Sequence, residues 1–166
     1  MSGIETERKF LVRRGSDFKS QAVSSSLIRQ GYMPCKGATV RVRTRDDKAY
    51  LTIKAHAKQG SIGRYEFETE ITPDEASHLL ELCAGGTVEK RRYLVPCGAH
   101  TFEVDEFHGE NEGLVMAEVE LSSEGESYEK PGFIGPEVTA DRRFRNSSLL
   151  SFPYRLWSNT IPVEYR

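Results

Sequence analysis

From residue 64 to residue 71 the chain alternates without a break. Tyr65, Phe67, Thr69 and Ile71 fall on one parity, and Arg64, Glu66, Glu68 and Glu70 on the other. A period of two marks a strand whose successive side chains face opposite sides of a sheet. The same design returns in residues 4–12, 40–45, 50–55, 88–95, 100–107 and 115–121. Each of these stretches has one apolar face and one charged face. Residues 27–33 read as a further strand closed by Pro34 and Gly37, and Asp46-Asp47-Lys48 as the turn of a hairpin over 40–55. So many short alternating segments commit the chain to a mainly β fold.

The intervening stretches are fewer. Thr72, Pro73 and Glu75 form the N-cap, first position and third position of a capped helix. Ala76, Leu79, Leu80 and Cys83 make its apolar stripe, and Gly85-Gly86 ends it. A short helix is expected near 17–23, a loop over 125–139, and partial helix over 141–150. Residues 151–166 hold two prolines and little periodicity, and read as an irregular tail behind a single domain over 1–150.

Charge narrows the partners. Charged residues make up 29% of the 166, yet the formal net charge is only −2. No bulk basic field draws the chain to nucleic acid or anionic lipid, so an anion site has to be built locally. No apolar run is long enough to span a bilayer. Cys35, Cys83 and Cys97 are odd in number and widely spaced, which suits free thiols in a reducing cytoplasm. His56, His78, His100 and His108 are scattered, form no metal-ligand pattern and read as surface residues.

The charged faces carry Glu5, Glu7, Glu66, Glu68, Glu70, Glu103, Asp105, Glu118 and Glu120 against Lys9, Arg41, Arg43, Arg45, Lys54, Arg64, Lys90 and Arg92. Two arrangements accommodate them. In a sandwich the apolar faces pack together and the charges are a solvated exterior, which follows the polar-outside rule. In a closed barrel the charges line the bore, and the apolar faces need cover from helices, loops or a second copy. Acids and bases are sorted by strand, which favours the bore. Like charges on one strand face repel unless something of opposite sign lies between them. A polyanion would relieve the basic blocks and a divalent cation the acidic ones, so one ligand, a metal-bound oligophosphate, serves both. No glycine loop of the Walker type is present, so side chains must hold the phosphates.

Glu5-x-Glu7-x-Lys9 also resembles the ExExK signature of the CYTH domain, the triphosphate tunnel metalloenzymes. Further stretches follow in family order: Arg29-Gln30-Gly31-Tyr32, Val40-Arg41-Val42-Arg43, Leu51-Thr52-Ile53-Lys54, Arg64-Tyr65-Glu66-Phe67-Glu68, Glu89-Lys90-Arg91-Arg92-Tyr93, Glu103-Val104-Asp105-Glu106-Phe107, Glu118-Val119-Glu120, and Glu137-Val138-Thr139 through Asn146. The resemblance spans about residues 3 to 150 and is to the small, single-domain bacterial branch. It implies a mainly β, closed eight-stranded antiparallel barrel with a few helices outside, and hydrolysis of the terminal phosphate of tripolyphosphate with Mg²⁺ or Mn²⁺. It implies metal ligation by Glu5, Glu7, Glu118 and Glu120, and phosphate binding by Lys9, Arg41, Arg43, Lys54, Lys90 and Arg92. Arg143 matches the closing basic motif, and Tyr32 a tyrosine paired with Lys9 in proton transfer. Arg64 is expected beside the phosphates. Glu66 and Glu68 are expected as metal ligands or as partners of the arginines, and Asp105 as a metal ligand ahead of Glu103.

Rival readings remain at this point. A class IV adenylyl cyclase or a thiamine triphosphatase uses the same barrel, and a module could hold polyphosphate without turnover. All of these take a small-molecule triphosphate or polyphosphate. The apolar outer face allows a homodimer.

Overall fold

The computed structural model describes residues 2–166, with Ser2 placed by its backbone alone. The strands are β1 (Ser2–Val12), β2 (Ser24–Met33), β3 (Ala38–Arg45), β4 (Lys48–Ala55), β5 (Gly63–Ile71), β6 (Val88–Cys97), β7 (His100–Phe107), β8 (Val115–Leu121) and β9 (Ile134–Glu137). The helices are α1 (Phe18–Gln21), α2 (Pro73–Glu81) and α3 (Ser148–Ser151). Strands run in the order β5-β4-β3-β2-β6-β7-β8-β1, and β1 pairs back to β5. The ring of eight antiparallel strands is therefore closed, which leaves no free edge around it. The loop expected over 125–139 contains the ninth strand. Gly135 and Pro136 hid it, and a strand carrying proline belongs at an edge. β9 lies there, on β1, where Phe10 faces Glu137.

Register shows where the charges point. Arg43 lies opposite Gln30 and Tyr50, Thr52 opposite Arg41 and Glu68, and Lys54 opposite Glu66. Glu5 lies opposite Arg64, Lys9 opposite Glu118, and Arg92 opposite Asp105. Cross-strand partners share a face, so every expected charged face turns to the bore. The sandwich is excluded.

The apolar faces are covered from outside in two places. Phe10, Val12, Val95, Phe102, Val104, Ala117, Val119 and Leu121 form one buried cluster, roofed by Phe18 of α1 and by Phe133. Val42 and Ala49 form another with Ala76 and Cys83 of the α2 segment. That helix starts as its sequence requires. Thr72 Oγ1 accepts from the Glu75 amide at 3.1 Å, and the Glu75 carboxylate accepts from the Thr72 amide at 2.8 Å. It sits close because β2 offers Gly31: a Cβ there would lie 2.8 Å from the Cys83 Cβ. Ile4, Ile53, Tyr65 and Phe67 keep an exposed apolar strip on the barrel wall.

The third cluster lies inside the bore. Leu11, Val88, Phe107 and Met116 have the parity of the inward charges, and they pack with Leu114, Phe144, Leu149, Tyr154, Trp157 and Ile161. Along β1 the inward side chains run Glu5, Glu7, Lys9, Leu11, so the bore turns apolar at one end. The segment after α3 folds as three 3-10 turns, Tyr154–Leu156, Ser158–Thr160 and Val163–Tyr165, and covers that end over β1, β6, β7 and β8. Among the described residues no helix is long and apolar enough to cross a membrane.

Candidate active site

One cavity of about 750 Å³ occupies the bore. Lys9, Arg41, Arg43, Lys54, Arg64, Lys90 and Arg92 line it from five strands, and Arg142 and Arg145 line it from the segment after β9. Against these cations the lining has two carboxylates, Glu7 and Glu118. Tyr32 lines it as well, while Glu5, Glu66, Glu68, Asp105, Glu120 and Arg143 do not.

The deepest cations are Lys90 and Arg92, almost entirely buried beside Asp105. Lys90 Nζ donates to Asp105 Oδ2 at 2.5 Å, and Arg92 Nε and Nη2 donate to Oδ1 and Oδ2 at 2.7 Å each. Asp105, expected as a metal ligand, thus has both oxygens taken by two cations. Burial opposes its charge, but Arg92 and Lys90 outweigh burial and hold its pKa below the usual carboxylate value. Burial lowers Lys90 to about 7, with Arg92 and Arg43 adding to the fall against the pull of Asp105. Arg43 is also pushed down, first by burial and then by Arg41 and Arg92. At the floor of the cavity Asp105 is therefore the ionised carboxylate that answers Lys90 and Arg92.

Lys9 Nζ lies 3.7 Å from Glu7 Oε1 and 3.7 Å from Glu118 Oε1. Burial opposes its charge, yet Glu118 and Glu7 prevail and raise its pKa, so it stays an ammonium. Glu118 is held far below the usual range: Lys9, Arg92 and Lys90 together overcome burial. Tyr32 Oη accepts from Gln30 Nε2 at 2.5 Å, and Gln30 Oε1 accepts from Arg43 Nε at 3.0 Å. That chain fixes the phenol on the cavity wall.

The remaining acids stand just outside the lining. Lys54 Nζ sits 2.6 Å from Glu5 and 3.2 Å from Glu66. Arg64 Nη2 donates to Glu7 at 3.2 Å, and Glu68 accepts from Thr52 at 2.8 Å. Glu120 is exposed, opposite Glu7 in register. Burial and then Glu7 raise Glu5 to about 8 in spite of Lys54. Glu120 is raised too, by burial and then by Glu103 and Glu66. Burial and the neighbouring acids thus disfavour the bare carboxylates, which suits a hard divalent cation whose charge would offset both. Among the described residues no three such side chains are yet gathered closely enough to hold an ion, because Glu7 and Glu118 are turned toward Lys9.

Arg143 faces away from the cavity. Its Nη2 donates to Asp141 at 2.7 Å, its Nη1 donates to Thr160 at 3.0 Å, and its guanidinium lies 4.8 Å from the Trp157 ring centre. The cations that do reach the cavity from this segment are its neighbours Arg142 and Arg145, which the sequence reading missed. Their spacing of three around Phe144 was the available signal, because a 3-10 turn aligns positions three apart. His100, read as a surface residue, is instead half-buried, with Nε2 2.8 Å from Glu126.

Comparison with known proteins agrees with this geometry. The CYTH domain model matches residues 3–149. An inorganic triphosphatase from Acetivibrio thermocellus is 48% identical over 155 residues, 92% of this chain and 97% of that protein. One from Nitrosomonas europaea is 36% identical over 156 residues, 90% and 99% of the two chains. The crystal structure of the inorganic triphosphatase NE1496 superposes with a TM-score of 0.62 at 30% identity, covering 88% of this chain and 93% of that one. With the closed barrel and the inward charges already in place, the chain belongs to the CYTH domain family.

Proposed function

We propose that the chain hydrolyses inorganic tripolyphosphate to pyrophosphate and phosphate, with Mg²⁺ or Mn²⁺ as its cofactor. The observation that carries this reading is the cavity lining: nine lysine and arginine side chains against two carboxylates. Only a multiply charged anion balances such a wall. The aromatic side chains in the lining are Tyr32 and His56, so there is no broad platform for an adenine or thiazole ring. That favours the inorganic substrate over an organic triphosphate.

The chain's own residues divide the work. Arg41, Arg43, Lys54, Arg64, Lys90 and Arg92 hold the phosphate oxygens, with arginine supplying forked donors and lysine compact charge. Asp105 fixes Lys90 and Arg92 and stays out of the metal set. Lys9, kept protonated, supports negative charge on the attacked phosphate or donates to it, and Tyr32 stands beside it on the wall. Glu5, Glu7, Glu118 and Glu120 would hold the divalent ion, with Glu66 and Glu68 behind them. When bound, the ion supplies charge neutralisation and a hard site for water or phosphate oxygen. Catalysis is then mainly positioning and electrostatics, as befits phosphoryl transfer.

The test is phosphate release from tripolyphosphate, ATP and thiamine triphosphate with Mg²⁺ or Mn²⁺, alongside a Glu7→Gln variant. Tripolyphosphate should be the best substrate, and the variant should lose metal-dependent turnover. Full activity in the variant removes Glu7 from the site, and release of cyclic AMP from ATP replaces the hydrolase reading with a cyclase.

A further inference from the structure

The cavity has a deep part and an open rim, and the two differ in how their cations are neutralised. Deep in the bore, Lys9, Lys54, Arg64, Lys90 and Arg92 each have a carboxylate within 4 Å, and Arg43 donates to Gln30 at 3.0 Å. The rim is made of non-strand chain: His56, Gly60 and Ile62 on one side, and Thr139, Arg142, Arg145 and Ser147 on the other. There Arg142 and Arg145 are exposed and, among the described residues, neither has an ion pair or a side-chain hydrogen bond.

Their direction is built into the segment. Arg142–Phe144 is a 3-10 turn, and the Arg145 amide donates to the Arg142 carbonyl at 3.1 Å. Positions three apart then lie on one side. The other side is anchored twice over. Phe144 is buried with its ring edge-on to Trp157 at 5.1 Å, and Arg143 is clasped by Asp141, Thr160 and the Trp157 face. With Arg143 and Phe144 fixed to the C-terminal segment, Arg142 and Arg145 are left facing the cavity. The next residue ties the rim to the floor, since Asn146 Oδ1 accepts from Lys90 Nζ at 2.9 Å.

We propose that Arg142 and Arg145 are an anion-capture pair, which takes hold of the outer phosphate group of the substrate at the rim and positions the chain for the deeper cations. The pair rests on the triphosphatase reading for its ligand, and adds two binding residues and a role for the C-terminal segment. Two exposed guanidinium groups held three residues apart, with no carboxylate to answer, cost repulsion in the free protein that a phosphate removes. Substrate binding and chemistry are then separable, because the pair lies on the segment after β9, whereas Lys9, Tyr32, Glu7 and Glu118 lie on the strands.

The experiment compares wild type, Arg142→Gln, Arg145→Gln, the double variant, and Arg29→Gln as a control on the outer barrel wall. Steady-state phosphate release gives kcat and KM, and calorimetric titration with tripolyphosphate in the absence of divalent cations gives binding apart from turnover. In the double variant KM and the dissociation constant should both rise about tenfold, the size expected of two partly screened charge contacts. The kcat should stay within about twofold, and the salt dependence of binding should become shallower. Unchanged KM and binding in the double variant overturn the proposal, as does a fall in kcat with KM unmoved. If wild type binds tripolyphosphate without hydrolysing it, and the double variant binds it more weakly, the capture pair stands and the hydrolase reading fails.

Discussion

Replacing Asp105 with asparagine keeps the shape of the side chain and removes its charge. The consequence can be worked from three bonds: Lys90 at 2.5 Å and two from Arg92 at 2.7 Å. All three side chains are buried, at 1%, 1% and 7% exposure. Breaking one side of a buried charge cluster costs about 3–5 kcal/mol, since the partners are left uncompensated. Asparagine still accepts one of the donors, which places the loss near the lower end, about 3 kcal/mol. For a chain of this size that lowers the melting temperature by roughly 6–12 °C. The loss should also depend on pH. Burial lowers Lys90 in the folded protein to about 7, well below the ordinary lysine value. The unfolded chain therefore binds that proton more tightly, and the contribution of Lys90 to stability rises as pH goes from 7 upward. Without the carboxylate the folded pKa falls further. The difference between wild type and variant is then largest near pH 6, where the ammonium still draws on Asp105. It shrinks by pH 9, where Lys90 is mostly neutral in both. Thermal and urea melts followed by circular dichroism at pH 6, 7.5 and 9 measure it. A variant within 2 °C of wild type at pH 6, against the roughly 6 °C or more expected, or a difference that grows with pH, would refute the idea that Asp105 neutralises the floor of the bore.

Other outcomes follow from the same geometry. Because only the charged form of Lys90 attracts phosphate, KM for tripolyphosphate should rise between pH 7 and 9, and a flat KM over that range would count against Lys90 as a binding residue. Gly31→Ala should cost about 1–3 kcal/mol by forcing the α2 segment off the barrel, and an unchanged urea midpoint would show that Cys83 can yield. Thr72→Ala should cost about 1 kcal/mol through the lost N-cap and leave KM alone, because the helix lies outside the bore; a shift in KM would place it in contact with the site.

Much of the barrel was legible because a strand's period of two sorts its faces without any knowledge of neighbours. Glu5, Glu7 and Lys9, or Lys90 and Arg92, had to point one way together, and their composition argued for an enclosed space. The capping box of α2 was equally local. What escaped depends on partners far along the chain. Parity put Asp105 in the bore, but only register could show that Lys90 and Arg92 would claim it. Leu11, Val88, Phe107 and Met116 shared the parity of the charges, yet nothing in their own strands said which segment would cover them. The covering segment, built from 3-10 turns, has neither helical nor strand periodicity to read. Arg142, Arg143 and Arg145 look alike in the sequence, and the choice among them is made by Trp157 and Thr160. β9 was masked by its glycine and proline, which are tolerable only because one of its sides has no partner.

The position of β1 in the ring has a consequence for how the molecule is made. It leaves the ribosome first, yet its neighbours in the ring are β5 and β8, and β8 begins at residue 115. At about 5–20 residues per second the nascent segment waits on the order of ten seconds for that partner. During that interval Phe10 and Val12 lack Phe102, Val104, Ala117 and Val119 of their cluster, and Lys9 lacks its cross-strand counterpart Glu118. Joining such distant stretches carries a large loop entropy, so the keystone is set last and in one cooperative event. Translation thus delivers the signature strand early, but a working channel exists only after most of the polypeptide has emerged.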